Sequence, residues 1–206
     1  MPLITPNTAQ RNVINTWLDN YVTRPHPLLG REGAVCPYVP AARRQGSVLI
    51  RVAATLPAGD PRPRDRLLTT PDAARTWLRS VFDDALQQFE NHPWPRRGRH
   101  LNSLVVVLQD LGPEHWAEID RSHAEVKTEV MARGLMAGQF HPHCPAPAAH
   151  NAAFPVNCSP VPLIVIRRMA RHDHLFAEDP IHIQAYERHF RTDGPDSADH
   201  PDSSPH

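Results

Sequence analysis

The sequence predicts an α+β domain, a mixed sheet of about four or more strands covered by helices, and three observations carry that reading. The run LVVVL at Leu104–Leu108 is apolar at every position, as a central strand buried on both faces must be. Between Pro71 and Asn91, Trp77, Leu78, Val81, Phe82, Ala85, Leu86 and Phe89 recur at the three-and-four spacing of an amphipathic helix. Short aliphatic runs alternate with such helical stretches along the chain, which suggests a layer of helices mainly on one face of a sheet. The 206 residues suit a single domain, expected over 1–191. The remainder, 192–206, is rich in Asp, Ser, Pro and His and too poor in apolar side chains to fold, so a disordered tail is expected.

In chain order, Val13, Ile14, Trp17, Leu18 and Tyr21 mark a first helix over 7–22, stopped by Pro25 and Pro27. A long loop with Gly30, Gly33, Pro37, Pro40 and Gly46 follows, and SVLIRVAAT at Ser47–Thr55 reads as a strand. A proline-arginine loop at 57–66 leads to the Pro71–Asn91 helix, which has Asp72 in its first turn and ends at His92-Pro93. After the LVVVL strand, Pro113 and Glu114 open a helix that Gly134 closes, its apolar face formed by Trp116, Ile119, Val126 and Val130 with His123 among them. Strands are expected at Leu135–Phe140 and Leu163–Ile166, and a last helix at Pro180–Phe190.

Twenty-two basic residues balance 22 acidic ones, so no net field draws the chain to nucleic acid or an anionic membrane. The arginine clusters at 62–66 and 96–99 lack the interleaved aromatics of a nucleic-acid surface. Three cysteines without disulfide spacing, no leader pattern and no long apolar run point to a soluble, cytoplasmic protein. Its partner is expected to be a small molecule, with the oligomeric state open and a homodimer among the options.

Chemistry-bearing residues gather between Gly134 and Met169. His141, His143 and Cys144 form an H-x-H-C cluster of metal-competent donors, with Cys158 a distant fourth. His141 directly follows an apolar strand that can hold it against a cofactor, whereas His143, Cys144 and Cys158 read as scaffold beside prolines. His123 points inward from its helix, where a buried neutral imidazole serves as ligand, base or simple partner of a carbonyl. Cys36-Pro37 is a second metal-competent feature, and buried structural cysteine is its default reading. Arg167, Arg168 and Arg171, with His172, Asp173 and His174, follow the last strand, so Arg167 can pair with a carboxylate and Asp173 can orient a histidine. No dinucleotide fingerprint, phosphate loop, H-E-x-x-H or nucleophile elbow occurs.

GREGAVCPYVP, LVVVLQD, the Lys127–Gly134 segment, GLMAGQFHP, HNAAFPV and SPVPLIVIRRMARHDHLF, covering about residues 25 to 176, follow one another in an order that resembles an uncharacterised bacterial domain family associated with biosynthetic gene clusters. That order is also distantly similar to the YqcI/YcgG family, whose members include haem-dependent oxygenases that N-hydroxylate guanidino groups. In place of that family's Ser-Arg doublet the chain carries Arg167-Arg168-Met169. The resemblance implies a haem-binding oxygenase of natural-product biosynthesis acting on an amino-acid-derived amine or guanidine. His141 would be the axial ligand, Arg167 and Cys36 would lie at the cofactor, and His123, Asn151 and Asp173 would serve as distal or orienting groups. Two alternatives remain open. One is a non-haem metal-dependent enzyme using His141, His143 and His172; the other is a non-catalytic accessory protein that binds a small molecule or a partner.

Overall fold

The computed structural model describes residues 3–56 and 68–192. Helix α1 (Thr8–Trp17) opens on a capping box in which Asn7 and Gln10 satisfy each other's backbone N–H groups, and it runs on into a π turn at Leu18–Val22. A short helix α2 (Val39–Gln45) follows, then strand β1 (Val48–Ala53), helix α3 (Pro71–Asn91), strand β2 (Ser103–Leu108) and helix α4 (Trp116–Ala132). Strand β3 (Leu135–Phe140), the small pair β4 (Pro147–Ala148) and β5 (Asn151–Pro155), strand β6 (Leu163–Arg168) and helix α5 (Pro180–Thr192) complete the chain.

The main sheet has the order β1-β2-β6-β3. β1 and β2 are parallel, and β6 runs antiparallel to both of its neighbours, β2 and β3. Three strands therefore finish at the same end of the sheet, where Ala53 lies opposite Leu108, and Leu163 lies opposite both Val107 and Phe140.

Alternation along these strands feeds two cores. Ala53, Leu104, Val106, Leu108, Ile164 and Ile166 face α3 and α4, where Trp77, Leu78, Phe82, Leu86 and Phe89 meet Ile119, Val126 and Val130. Ile50, Val52, Val105, Val107 and Leu163 face the other way, onto Ile14, Trp17, Leu18 and Val22. The expected one-sided layer is thus corrected. Helix α1 covers the second face, and the burial of LVVVL on both sides requires such a cover. Each of those buried side chains of α1 and its π turn contributes roughly 1.5–3 kcal/mol of transfer free energy.

Helix α2, which falls inside the segment read as loop, starts with Pro40 in its first turn and ends at Gly46 with φ 71°. Gly134, φ 68°, turns the chain from α4 into β3; a Cβ there would lie 2.5 Å from His189 Nδ1 of α5. Among the described residues no helix is long and apolar enough to cross a membrane. The expected tail at 192–206 lies outside the described residues, except that Thr192 ends α5.

Candidate metal centre

β3 lies at one edge of the sheet, and α4 packs along it. Trp116, Asp120, His123 and Lys127 recur at four, three and four residues and so share one face of α4. His123 uses Nε2–H to donate to the Ala137 carbonyl at 3.1 Å. It satisfies an edge carbonyl of β3, the ordinary task of a buried histidine. Burial holds its pKa below the usual value and the Lys127 charge adds to this, while the carbonyl bond and Asp120 oppose both.

One turn earlier on α4, Asp120 reaches His141, the first residue beyond the end of β3. The His141–Cys144 segment is a turn with Pro142 at its second position, closed by a 3.1 Å bond from the Cys144 N–H to the His141 carbonyl. That turn brings the first and fourth side chains to the same place. His141 Nε2 lies 3.2 Å from Oδ2 and 3.4 Å from Oδ1 of Asp120, and Cys144 Sγ lies 3.8 Å from Oδ1. The three donor atoms all fall within 4.8 Å of one another.

His141 is 3 % exposed and Cys144 1 %, whereas the Asp120 side chain is 28 % exposed, so the cluster is reached from the Asp120 side. His141 Nδ1 is buried and has no hydrogen-bond partner. A buried polar atom left unpaired costs roughly 1–3 kcal/mol. Burial pushes the Cys144 thiol up to about 12; a backbone hydrogen bond at Ala146 opposes this, and the Asp120 carboxylate adds to it. Without a cation the sulfur is therefore a thiol, whose single S–H has two acceptors in reach, the Asp120 carboxylate at 3.8 Å and the Gln139 carbonyl at 3.7 Å. The Trp116 ring stands 5.6 Å from the rings of both His141 and His143 and walls one side of the cluster. Cys158 forms a parallel bridge with His141, and Trp17 Nε1–H donates to the Cys158 carbonyl at 3.1 Å, tying this loop to α1.

The other residues singled out in the sequence lie elsewhere. Arg167 donates to both carboxylate oxygens of Asp173, at 2.7 and 2.6 Å, and Asp173 also accepts the Ala170 N–H at 2.7 Å. The guanidinium stands 5.9 Å from the centre of the Tyr38 ring, whose hydroxyl is 2.8 Å from His172 Nδ1, and Cys36 belongs to the same neighbourhood. Burial alone would lower the pKa of Arg167, but the Asp173 hydrogen bonds and charge outweigh it and raise it. In the sheet register Arg167 opposes Met136, five positions before His141, so the two ends are roughly 16 Å apart at about 3.3 Å per residue. His141, His143 and His172 are therefore not assembled into one ligand set. Asn151 is a loop fastener: its Nδ2 donates to the Leu28 carbonyl at 2.8 Å and its Oδ1 accepts from the Ala153 N–H.

Of the six residues singled out as a site, only His141 stands in the cluster; the structure adds Asp120 and brings in Cys144, a metal-competent donor of the H-x-H-C run that the sequence reads as scaffold. The signal for Asp120 was its place on the α4 face already occupied by His123; the signal for Cys144 was the proline turn.

The sequence profile of a family described as a domain of unknown function, DUF6875, matches residues 11–201. The chain belongs to this family. The DUF6875 match supplies no link to biosynthetic gene clusters or to the YqcI/YcgG family, so that resemblance rests on motif order alone. No curated protein and no solved structure matches this DUF6875 chain.

Proposed function

We propose that this DUF6875 protein is a metal-dependent enzyme acting on a small molecule, with Asp120, His141 and Cys144 holding one transition-metal ion. The observation that carries the reading is the spacing of the donors. Bonds of roughly 2.0–2.3 Å to N, O and S place tetrahedral ligands roughly 3.3–3.7 Å apart. The Nε2–Oδ1 and Oδ1–Sγ separations of 3.4 and 3.8 Å need little adjustment to meet that.

A mixed carboxylate, imidazole and thiolate set suits zinc or iron, and three protein ligands leave a position for water or substrate. A bound ion there would supply Lewis acidity, polarising a carbonyl or lowering the pKa of a water. The chain's own groups do the rest. Asp120 leaves the approach open on its exposed side, Trp116 and His143 border that approach, and the buried Cys144 keeps solvent from the far side.

The haem oxygenase reading places a macrocycle on His141. Its Nε2 faces the Asp120 carboxylate and its Nδ1 is buried, so a bare ion shared with Asp120 and Cys144 matches the geometry better. Metal-free protein titrated with cobalt(II) tests the choice. A thiolate-to-cobalt charge-transfer band is expected, absent in Cys144→Ser and His141→Ala and weakened in Asp120→Asn. A chain that gives no such band but takes up haem with a Soret band lost in His141→Ala would replace the metal centre with the oxygenase. A chain that binds neither removes both the metal centre and the oxygenase.

A further inference from the structure

We propose that Cys144 and Cys158 are a redox pair that a hydroperoxide closes into a disulfide, removing one ligand from the metal centre. The second half of this rests on the metal reading; the pairing itself does not.

One carbonyl gathers the two cysteines. The Cys144 N–H donates to the His141 oxygen at 3.1 Å and the Ser159 N–H to the same oxygen at 3.4 Å, while Cys158 is bridged to His141. The Cys158 sulfur lies 3.9 Å from the Cys144 carbonyl oxygen, so it already rests on the Cys144 backbone. A disulfide needs Cα atoms about 4.4–6.8 Å apart, and the shared His141 oxygen, with the Cys158 sulfur resting on the Cys144 carbonyl, brings the two residues side by side. Trp17 fixes the Cys158 side from α1, and Tyr21 does the same at the Val156 carbonyl, 2.9 Å away. The third cysteine, Cys36, belongs to the Arg167 end of the sheet.

Exposure sets the order of events. Cys158 is half-buried and Cys144 fully buried, so the oxidant meets Cys158 first. The Cys158 thiolate attacks the outer oxygen of the hydroperoxide; an S–O bond forms, the O–O bond breaks, and the alkoxide leaves as the alcohol after taking a proton. Cys158 sulfur has lost two electrons and is a sulfenic acid. The Cys144 sulfur then attacks it, the S–S bond forms, the S–O bond breaks, and hydroxide leaves with the Cys144 proton as water. With its sulfur in the bridge, Cys144 no longer offers a thiolate to an ion.

Both cysteines lie in the single tryptic peptide 134–167, which contains no internal Lys or Arg. After a stoichiometric dose of hydrogen peroxide, this peptide should be lighter by two hydrogens and refuse an alkylating label. Dithiothreitol should restore two labelled sites, and Cys36 should stay labelled throughout. In protein loaded with zinc, release to a chromogenic chelator should follow the appearance of the bridge, and Cys158→Ser should keep its zinc under the same dose. Bridging in a chain that never bound zinc would uphold the pair and remove the metal reading alone. The pair is overturned if Cys158 proceeds to the sulfinic acid while Cys144 still takes label, or if the bridge forms to Cys36. If Cys158→Ser loses zinc without oxidant, Cys158 is itself a ligand, and the claim that bridging removes one ligand alone is overturned while the pair stands.

Discussion

The two ends of the sheet use similar materials and finish them differently. At the Arg167 end a buried carboxylate, Asp173, accepts three hydrogen bonds, two from Arg167 and one from the backbone. At the His141 end a half-exposed carboxylate, Asp120, meets a histidine with one ring nitrogen unpaired and a thiol at the long range of sulfur contacts. A saturated polar cluster has no valence left for a ligand and holds structure; an unsaturated one has been left incomplete by the protein alone. That contrast moves the functional reading away from Arg167 and Asp173 and toward Asp120, His141 and Cys144.

The contrast breaks most sharply at the saturated end. Asp173→Ala strands a guanidinium whose partner is gone, and the loss in unfolding free energy should be about 3 kcal/mol by urea titration. A change well below that would mean the pair does not hold β6 to the turn after it. The next largest effect belongs to the other end. Zinc at about a hundred times its dissociation constant should stabilise the wild type by about 2.7 kcal/mol, and Cys144→Ser should show none of this gain.

A third prediction separates the ends by pH. The Cys144 thiol is raised from 9.0 to about 12 in the folded chain, so above pH 9 the unfolded chain releases a proton that the folded one keeps. Stability of the metal-free protein is therefore full below that range and falls as pH rises through it. Tyr21, raised by burial from 10.0 to about 12, contributes in the same direction. Cys144→Ser should flatten the lower part of that slope in urea midpoints, whereas zinc, which binds the thiolate, should bind more tightly as pH rises. The smallest effect is expected for Tyr38→Phe. Its hydroxyl meets an exposed His172, and the urea midpoint should move by less than about 1 kcal/mol equivalent.

Local pattern made much of this fold legible. LVVVL specified a strand buried on both faces, and the α3 stripe specified a helix on the sheet. Pro113 and Gly134 bracketed α4. Helix α2 escaped because a single turn or two, opened by Pro40 and surrounded by glycines, has no periodicity to read. The cover on the second face escaped because the α1 stripe shows that the helix packs, not which face it packs against.

The candidate site was half legible. His141 was visible as the residue capping an apolar strand. Asp120 was not, because a lone carboxylate on a helix is ordinarily a solvated one, and only the placement of α4 over the β3 edge makes it a partner. The separation of Arg167 from His141 depends on the register of two antiparallel strands, which no motif order contains.

The insertion of β6 between β2 and β3 sets when this protein can be finished as it emerges from the ribosome. Among the described residues β3 pairs in the main sheet with β6 alone, so until Leu163–Arg168 has been made β3, with His141 at its end, has α4 to pack against but no neighbouring strand. Helices α3 and α4 with β1 and β2 can collapse earlier around their own contacts. The centre of Asp120, His141 and Cys144 is therefore assembled among the last parts of the chain to settle, and a nascent chain stopped before Leu163 should be unable to hold an ion at all.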